Sequence, residues 1–273
     1  MLAATGVDEA RCEPPKIKLL DGVPAGDLQD VDVLYEQAGV NGNLSRCLEK
    51  LNEMYMASTD KAEMVDLCWR LARANYNLVY SKDSGDQEVC GTQEQKKELA
   101  MDALKYARQA LEVAPNDYRS HYWCGIAIQA VGEFEGTKYT ITHLNDIRSH
   151  FEQAVRLNPK DGMCFYCIGM WCFELADLGW MQRQIASTIF ATPPQSSFEE
   201  ALKYFQRAEQ VQPEFWNKNA LMIAKTYEKL GDYAKAVEWC EYTTRRLVIN
   251  PDDEAILKQA REVLARVEKK VKK

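Results

Sequence analysis

The feature that most constrains this chain is a helix ending that recurs three times. In each copy a small residue is followed three positions later by an aliphatic residue, and two positions after that by proline. The copies are Ala110, Val113 and Pro115; Ala154, Leu157 and Pro159; and Ala208, Val211 and Pro213. This recurrence is typical of helical hairpin repeats, because proline ends a helix by removing a backbone donor. A stack of such hairpins presents an extended surface rather than a catalytic pocket.

Upstream of each proline, apolar residues spaced by four and three define one face of a second helix. These faces comprise Ala103, Ala107 and Ala110; Ile147, Phe151 and Ala154; and Ala201, Phe205 and Ala208. Each has a first helix before it, centred near residues 71–72, 124–125 and 168–169, where a small residue allows close crossing. The sequence therefore predicts an all-α fold: a right-handed solenoid of antiparallel helical hairpins that resembles the tetratricopeptide repeat, with inserts and a C-terminal capping helix.

The predicted organisation has three parts: a flexible N-terminal arm over 1–27, a solenoid of about five hairpins over 28–251, and a capping helix with a basic tail over 252–273. The repeat prolines lie farther apart than the roughly 34 residues of a tetratricopeptide repeat, so inserts must separate the paired helices. A flexible loop is expected at 80–97, a further insert at about 135–146, and a helix extension at 176–192. Pro251 falls three residues late, which predicts a longer or irregular second helix in the last hairpin.

Composition narrows the class of protein. The net charge of -7 argues against general nucleic-acid binding, which depends on excess Lys and Arg. No apolar run reaches the roughly 18 residues of a membrane helix, and the first residues lack the pattern of a secretion signal, so we expect a cytoplasmic protein with no membrane span. The nine cysteines are an odd number and lie mostly within helical patterns, which indicates reduced, buried thiols rather than disulfides.

Several segments are more specific than the repeats. They are 69–74 (WRLARA), 131–136 (VGEFEG), 150–161 (HFEQAVRLNPKD), 171–176 (WCFELA), 180–186 (WMQRQIA), 190–194 (FATPP) and 201–211 (ALKYFQRAEQV). In this order they resemble the regulator of microtubule dynamics family over roughly 30–250. The resemblance implies a protein that associates with microtubules and the mitotic spindle, serves chromosome segregation, and locates to the cytoskeleton, spindle and spindle poles. Its partner would be tubulin or a spindle-associated protein.

Some relatives in that family are membrane-anchored, tether organelles and bind phospholipid. This sequence shows neither an N-terminal membrane helix nor an acidic-flanked Phe-Phe stretch of the type that recruits endoplasmic-reticulum partners. The tethering role is therefore not expected here, while the microtubule role is unaffected.

The first helices of hairpin repeats line the concave surface, where positions spaced by three and four share a face. Aromatic rings and cations fall at these positions and could hold an extended acidic peptide such as a tubulin tail. The ordinary alternative is that the rings pack between repeats and the charges only solvate the surface. The candidate residues are Trp69, Arg73, Tyr76, Arg119, Tyr122, Tyr166, Met170, Lys218 and Lys225.

The C-terminal segment 261–273 forms a second candidate site, because its six basic residues outnumber its two acidic ones. Screening over about 8 Å at physiological salt lets such a patch act on an acidic surface despite the negative net charge. The alternative is a solvated terminus that only complements the helix dipole. The basic residues are Arg261, Arg266, Lys269, Lys270, Lys272 and Lys273.

No arrangement in the sequence predicts catalysis, a cofactor or a metal. The three histidines, His121, His143 and His150, do not accompany a nucleophile motif or a metal-binding spacing. Cys164 and Cys167 lack the second Cys/His pair that a zinc site needs. We therefore expect a protein that is not an enzyme.

Two other functions remain open. A phospholipid-binding solenoid at organelle contacts could enclose an acyl chain along the row Met163, Tyr166, Met170 and Phe173. A chaperone co-factor that clamps an acidic C-terminal tail is a third possibility, although the Lys/Asn set expected at successive concave positions is incomplete.

Overall fold

A computed structural model describes residues 27–39, 41–248 and 251–271. Most of the predicted N-terminal arm therefore lies outside the described residues, as do Lys272 and Lys273 of the basic tail. The described chain is built of α-helices, and no β-strand occurs within these ranges. Within the same ranges, no helix combines the length and the apolar character needed to cross a membrane.

The chain divides into two compact units, and among the described residues the first ends at Leu157 and the second begins at Asn158. The first unit contains α1 (Asp27–Glu36), α2 (Asn43–Ala57), α3 (Lys61–Val79), α4 (Gln87–Cys90), α5 (Gln93–Val113), α6 (Tyr118–Glu135), α7 (Thr137–Thr142) and α8 (Leu144–Leu157). The second contains α9 (Gly162–Ala176), α10 (Trp180–Ile189), α11 (Phe198–Val211), α12 (Asn217–Leu230), α13 (Tyr233–Thr244) and α14 (Pro251–Val271).

Hairpins of neighbouring helices form the layers of each unit. In the first unit α1 pairs with α2, α3 with α5, and α6 with α8. In the second unit α9 pairs with α11, α12 with α13, and α14 packs on both α12 and α13. The predicted second-helix faces are buried in the corresponding helices α5, α8 and α11. The hairpin pattern read from the sequence is confirmed in each unit.

Small residues allow the close crossing that the sequence predicted. A Cβ added to Gly125 of α6 would lie 2.5 Å from Cε1 of Phe151, and one added to Gly169 of α9 would lie 2.6 Å from Cδ1 of Phe205. Both phenylalanines are fully buried, which contributes about 1.5–3 kcal/mol each. A glycine on the first helix thus receives a phenylalanine from the second helix in both units.

Two of the turns between hairpins, those after Pro115 and Pro159, use an aspartate placed two residues after the proline. The Asp117 carboxylate accepts a hydrogen bond from the Arg119 amide at 2.8 Å and caps α6, and Asp161 caps α9 in the same way at 2.8 Å from the Met163 amide. Each cap satisfies a backbone donor at the start of a helix. The proline therefore closes one helix while the aspartate begins the next.

The prediction for Pro251 was wrong. The second helix of the last hairpin, α13, ends at Thr244, and Pro251 is the first residue of α14. Proline suits this position because the first residues of a helix have no intrahelical acceptor for their N–H groups. A repeat-ending proline and a helix-starting proline look alike in the sequence.

The insert at 80–97 is not the loop that its polar composition suggested. It contains a 3-10 turn (Ser84–Asp86) and α4, and it packs against the start of α2. The buried Asp86 carboxylate accepts hydrogen bonds from the Ser45 amide and hydroxyl at 3.1 and 2.9 Å, while Asp83 accepts from the Gly42 amide at 2.7 Å. These carboxylates supply the acceptors that the start of α2 lacks, since Gly42 has no side chain to cap it.

The other inserts also form helices. The insert near 135–146 contains α7, while the segment expected to extend a helix over 176–192 is a separate helix, α10. The chain leaves helical geometry at Gly179, which has φ -70° and ψ 163°, so α9 and α10 are not continuous. Trp180 at the start of α10 is 75% exposed.

Candidate partner-binding surfaces

The first candidate surface, in the first unit, is centred on the indole of Trp69 in α3. The guanidinium carbons of Arg70, Arg73 and Arg119 lie 4.2, 5.0 and 5.1 Å from its ring centroid. Arg70 and Arg73 come from α3, and Arg119 comes from the neighbouring first helix α6. We call Trp69 and these three arginines the arginine cluster.

Each arginine of the cluster is paired with an aspartate. Asp32 of α1 accepts hydrogen bonds from Arg70 Nε and Nη2 at 3.1 and 2.8 Å and from Arg73 Nη2 at 2.7 Å. Asp66 of α3 accepts from Arg119 Nη1 and from the Trp69 indole N–H, both at 2.9 Å.

A third carboxylate completes the pairing. Asp117, which caps α6, accepts hydrogen bonds from Arg119 Nε at 3.0 Å and from its Nη2 at 2.6 Å. Three cations are thus balanced by three anions, so the arginine cluster and its three aspartates together carry no net charge in this arrangement.

The pairing also sets the ionisation of the acids. Burial alone would raise the pKa of Asp32, but hydrogen bonds and charges from Arg70 and Arg73 outweigh it and hold that pKa below its usual value. Asp32 is therefore a carboxylate at neutral pH. The cluster links α1, α3 and α6 through charge-assisted hydrogen bonds, which are stronger than neutral ones.

The structure brings together three of the predicted concave residues of the first unit, Trp69, Arg73 and Arg119, but in paired form. Trp69 and Arg73 are buried, whereas the Arg119 side chain remains 22% exposed. The predicted ring residues pack instead against other rings: Tyr76 lies 5.8 Å from Trp123, and Tyr122 lies 6.4 Å from Phe151 between ring centroids.

In the second unit the predicted residues on α9 pack into the interior. The Tyr166 ring lies 5.6 Å from Phe205 and 4.9 Å from Trp216, and Met163 is buried. Met170 is half-buried. The Phe173 ring lies 5.2 Å from that of Phe198.

The two predicted lysines of α12 differ in their surroundings. Lys218 is only 4% exposed, and the Lys225 ammonium donates to Gln259 Oε1 of α14 at 2.9 Å. Lys218 is therefore not the solvated charge predicted for the concave surface, whereas Lys225 stays partly exposed beside a neutral amide.

Part of the basic tail is also neutralised. Arg266 of α14 donates two hydrogen bonds of 2.7 Å to the two oxygens of Glu228 on α12, and the Lys270 ammonium lies 3.6 Å from the same carboxylate. The hydrogen bond from Arg266 lowers the pKa of Glu228. This ion pair fastens the capping helix to the last hairpin.

Three other cations of α14 remain open to solvent. Lys258, Arg261 and Lys269 are exposed, fall on one face at helical spacing, and form no ion pair with another described residue. The acidic residues of the exposed part of the helix are Glu254, Glu262 and Glu268. We call Lys258, Arg261 and Lys269 the outward cations. Lys258 was missed by sequence reasoning, because it precedes the segment in which basic residues cluster.

The histidines lie together in the first unit. His121 Nδ1 is 3.1 Å from His150 Nδ1, and His121 Nε2 is 3.0 Å from the Pro115 carbonyl oxygen. Burial, with a smaller contribution from His121, lowers the pKa of His150 to about 4. The remaining histidine, His143, stacks on Tyr139 at a centroid distance of 4.1 Å. In the described ranges, His, Cys, Asp and Glu form no group of three or more that could hold a metal ion.

The cysteines behave as the sequence indicated. The eight between Cys47 and Cys240 are buried free thiols, while Cys12 lies outside the described residues. Burial raises the pKa of Cys124 and of Cys240 to about 12, which leaves these thiols protonated at neutral pH.

Comparison with known proteins agrees with this architecture. A solved structure of a thermophilic TPR protein from Thermus thermophilus superposes with a TM-score of 0.60 at 13% identity, covering 86% of this chain and 98% of that one. This similarity shows the fold, and the all-α, tetratricopeptide-like prediction is confirmed.

Curated relatives extend the similarity to a family. Regulator of microtubule dynamics protein 1 from Bos taurus is 38% identical over 238 residues, which cover 87% of this chain and 70% of the relative. The protein of the same name from Homo sapiens is 43% identical over 171 residues, 63% of this chain and 52% of the relative. The matched regions thus span between about half and 70% of these relatives' lengths. The family model described as Regulator of microtubule dynamics protein 1-3 matches residues 27–268, and this chain belongs to that family.

Proposed function

We propose that this chain is a non-enzymatic helical-repeat adaptor that associates with microtubules and regulates their dynamics, acting in the cytoplasm at the spindle and spindle poles in chromosome segregation. The names of its relatives support the microtubule link. The observation that carries the proposed contact is the contrast between cations. Those of the arginine cluster are paired internally, whereas Lys258, Arg261 and Lys269 of α14 have no ion-pair partner among the described residues.

The outward cations suit a negatively charged partner surface. Glu254 and Glu262 lie one helical turn from Lys258, so the face presents interspersed charges rather than a purely cationic patch. Acidic residues farther away contribute little, because screening at physiological salt acts over about 8 Å. Cations on a solvated helix face raise the rate of encounter with an acidic surface and weaken in effect as salt increases. We therefore assign the first contact with the microtubule to the exposed face of α14.

Co-pelleting with stabilised microtubules over a salt series tests this function. Binding should weaken as salt rises, and reversing all three outward cations to Glu should weaken it about a hundredfold at low salt. Charge reversal is preferable to removing the tail, because α14 also buries Val263 and Val267 in the second unit.

A matched control separates a local effect from net charge. Lys61, Lys160 and Lys203 are exposed and lie on other elements, and their reversal to Glu changes the net charge by the same amount. This control should pellet like the original chain. Equal loss in both variants, or no pelleting at low salt, would overturn direct binding through α14.

Phospholipid binding stays a second hypothesis. Met163 and Tyr166 of the proposed acyl-binding row are buried against neighbouring side chains, so a lipid chain would need to displace them. Native mass spectrometry of the purified protein checks this directly, since a co-purified phospholipid would support the hypothesis and its absence would count against it.

A further inference from the structure

Helix α1 differs in charge from the surface that it covers. Its ten residues include four acidic residues and no Lys or Arg. It lies against the arginine cluster, where Asp32 is held by Arg70 and Arg73. The neighbouring Tyr35 places its ring 3.7 Å from the Arg73 guanidinium carbon and accepts a hydrogen bond from Asn77 Nδ2 at 3.0 Å. A short acidic helix therefore occupies a cationic and aromatic surface.

The contacts of Asp32 are those by which an arginine pair recognises an acidic peptide. One carboxylate receives three charge-assisted hydrogen bonds, two of them from a single guanidinium in the parallel arrangement that favours carboxylates. The surface still has an unused donor, because Arg73 Nε is buried and has no hydrogen-bond acceptor within the described ranges. Asp32 thus leaves part of the binding capacity of the arginines unfilled.

Helix α1 is attached through a short apolar face as well as through Asp32. Leu28 and Val31 are buried against residues of α2 and α3, and Leu34 and Tyr35 pack against the same cluster. Of the residues that connect α1 to α2, Gly39, Asn41 and Gly42 have positive φ, and the Gly42 amide is held by the Asp83 carboxylate. The exposed Asp30 of α1 pairs with Lys50 at the surface.

We propose that the surface of α3 formed by Trp69, Arg70 and Arg73 is a binding site for an acidic peptide, and that α1 is its built-in competitor. In the isolated chain the Asp32 carboxylate occupies the site by pairing with Arg70 and Arg73. A Glu-rich segment that offers several carboxylates displaces Asp32, satisfies Arg73 Nε and releases α1. The inference rests on the proposed function only for the source of the peptide, an acidic segment on the microtubule.

Hydrogen–deuterium exchange on the unmodified full chain tests the displacement. The probe is a 12-residue Glu-rich peptide, and the control is the same peptide with Gln at every Glu. With the Glu peptide, amides of 27–36 should exchange faster and those of 61–79 more slowly, while the Gln peptide should change neither. Peptide binding that leaves 27–36 unchanged or better protected would overturn the proposal.

A pair of variants on α1 measures the competition. Asp32→Asn and Asp30→Asn remove the same charge from the same helix, but of the two only Asp32 contacts the arginines. Asp32→Asn should bind the Glu peptide about tenfold more tightly, because less of the binding energy is used to open the site. Asp30→Asn should stay within about twofold of the original chain.

The outcomes separate this proposal from the proposed function. If the two variants bind the Glu peptide with equal affinity, and circular dichroism shows that both are folded, then Asp32 has only a structural role. That result would overturn the proposal that α1 is a built-in competitor. If Asp32→Asn does not fold, the exchange experiment on the unmodified chain still decides. Salt-dependent pelleting through α14 without any peptide response would contradict only the inference. A peptide response without pelleting would contradict the proposed function and the microtubule as the source of the peptide, and would leave the acidic-peptide site and its competitor intact.

Discussion

The arginine cluster of the first unit and the outward cations of the second contain similar side chains in opposite electrostatic situations. In the cluster, Arg70 and Arg73 are buried and share the carboxylate of Asp32. On α14, Lys258 and Arg261 are exposed and have no acidic partner among the described residues. Cations at first-helix positions are therefore not by themselves a partner surface, because successive first helices can neutralise each other.

The largest effect is expected when a paired cation of the arginine cluster is removed. Arg70→Met removes a 4% exposed cation and leaves Asp32 with fewer donors, so the free energy of unfolding should fall by about 3–5 kcal/mol. Lys258→Met on α14 should change it by less than about 0.5 kcal/mol. Urea unfolding followed by circular dichroism measures both. Similar small losses would show that the cluster contributes little to stability.

The second-largest expected effect is a loss of stability on acidification, which should arise in the first unit. All three histidines lie in the first unit, and the pKa of His150 is about 4 when folded against about 6.5 when unfolded. Because the unfolded state binds the proton more readily, neutral His150 contributes fully to the free energy of unfolding above pH 6.5. That contribution is lost as the pH falls toward 4. Unfolding free energy at pH 5 should be about 1–2 kcal/mol below that at pH 7.5.

The groups that act on His150 define the control for this prediction. His121 and Arg108 lower its pKa and Asp146 raises it, in addition to the dominant effect of burial. His150→Gln should remove most of the loss between pH 7.5 and 5. Hydrogen exchange at pH 5 should show the loosening in α6 and α8, and an equal loosening confined to the second unit would contradict the assignment.

A smaller effect is expected when the paired cations of α14 are released from their carboxylate. Glu228→Gln removes the carboxylate that pairs with Arg266 and Lys270, so the number of unpaired cations on the described part of α14 rises from three to five. Microtubule binding at low salt should strengthen by about threefold, and stability should fall by no more than about 1 kcal/mol because Arg266 is half exposed. Co-pelleting and thermal unfolding measure the two changes, and unaltered binding would argue against α14 as the contact.

The repeat core could be predicted from the sequence because its signals are local. The spacing of Ala103, Phe151 and Phe205 identified the buried faces, and the small residues near 125 and 169 identified the crossings. Pro251 was misread because proline is equally suited to ending one helix and to starting another. The insert at 80–97 was misread because its acidic side chains cap α2, a contact 41 residues distant that composition does not show.

The candidate sites were less predictable for the same reason. Trp69, Arg73 and Arg119 were identified by helical spacing, but the pairing of Arg70 with Asp32 joins residues 38 apart and depends on how α1 packs. Likewise, the basic composition of 261–273 indicated α14, while the pairing of Arg266 with Glu228 follows from the contact between α12 and α14. Sequence spacing predicts which residues share a face of a helix. Only the packing of the helices shows which charges on that face are already paired.

The most direct test of this account compares one variant from each region in a single co-pelleting titration. Replacing Lys258, Arg261 and Lys269 with Gln removes the outward cations, and Arg119→Gln removes the most exposed cation of the cluster. We expect the α14 variant to bind microtubules about tenfold more weakly at low salt, and Arg119→Gln to stay within about twofold of the original chain. Stronger weakening by Arg119→Gln than by the α14 variant would contradict the assignment of the outward cations as the contact surface.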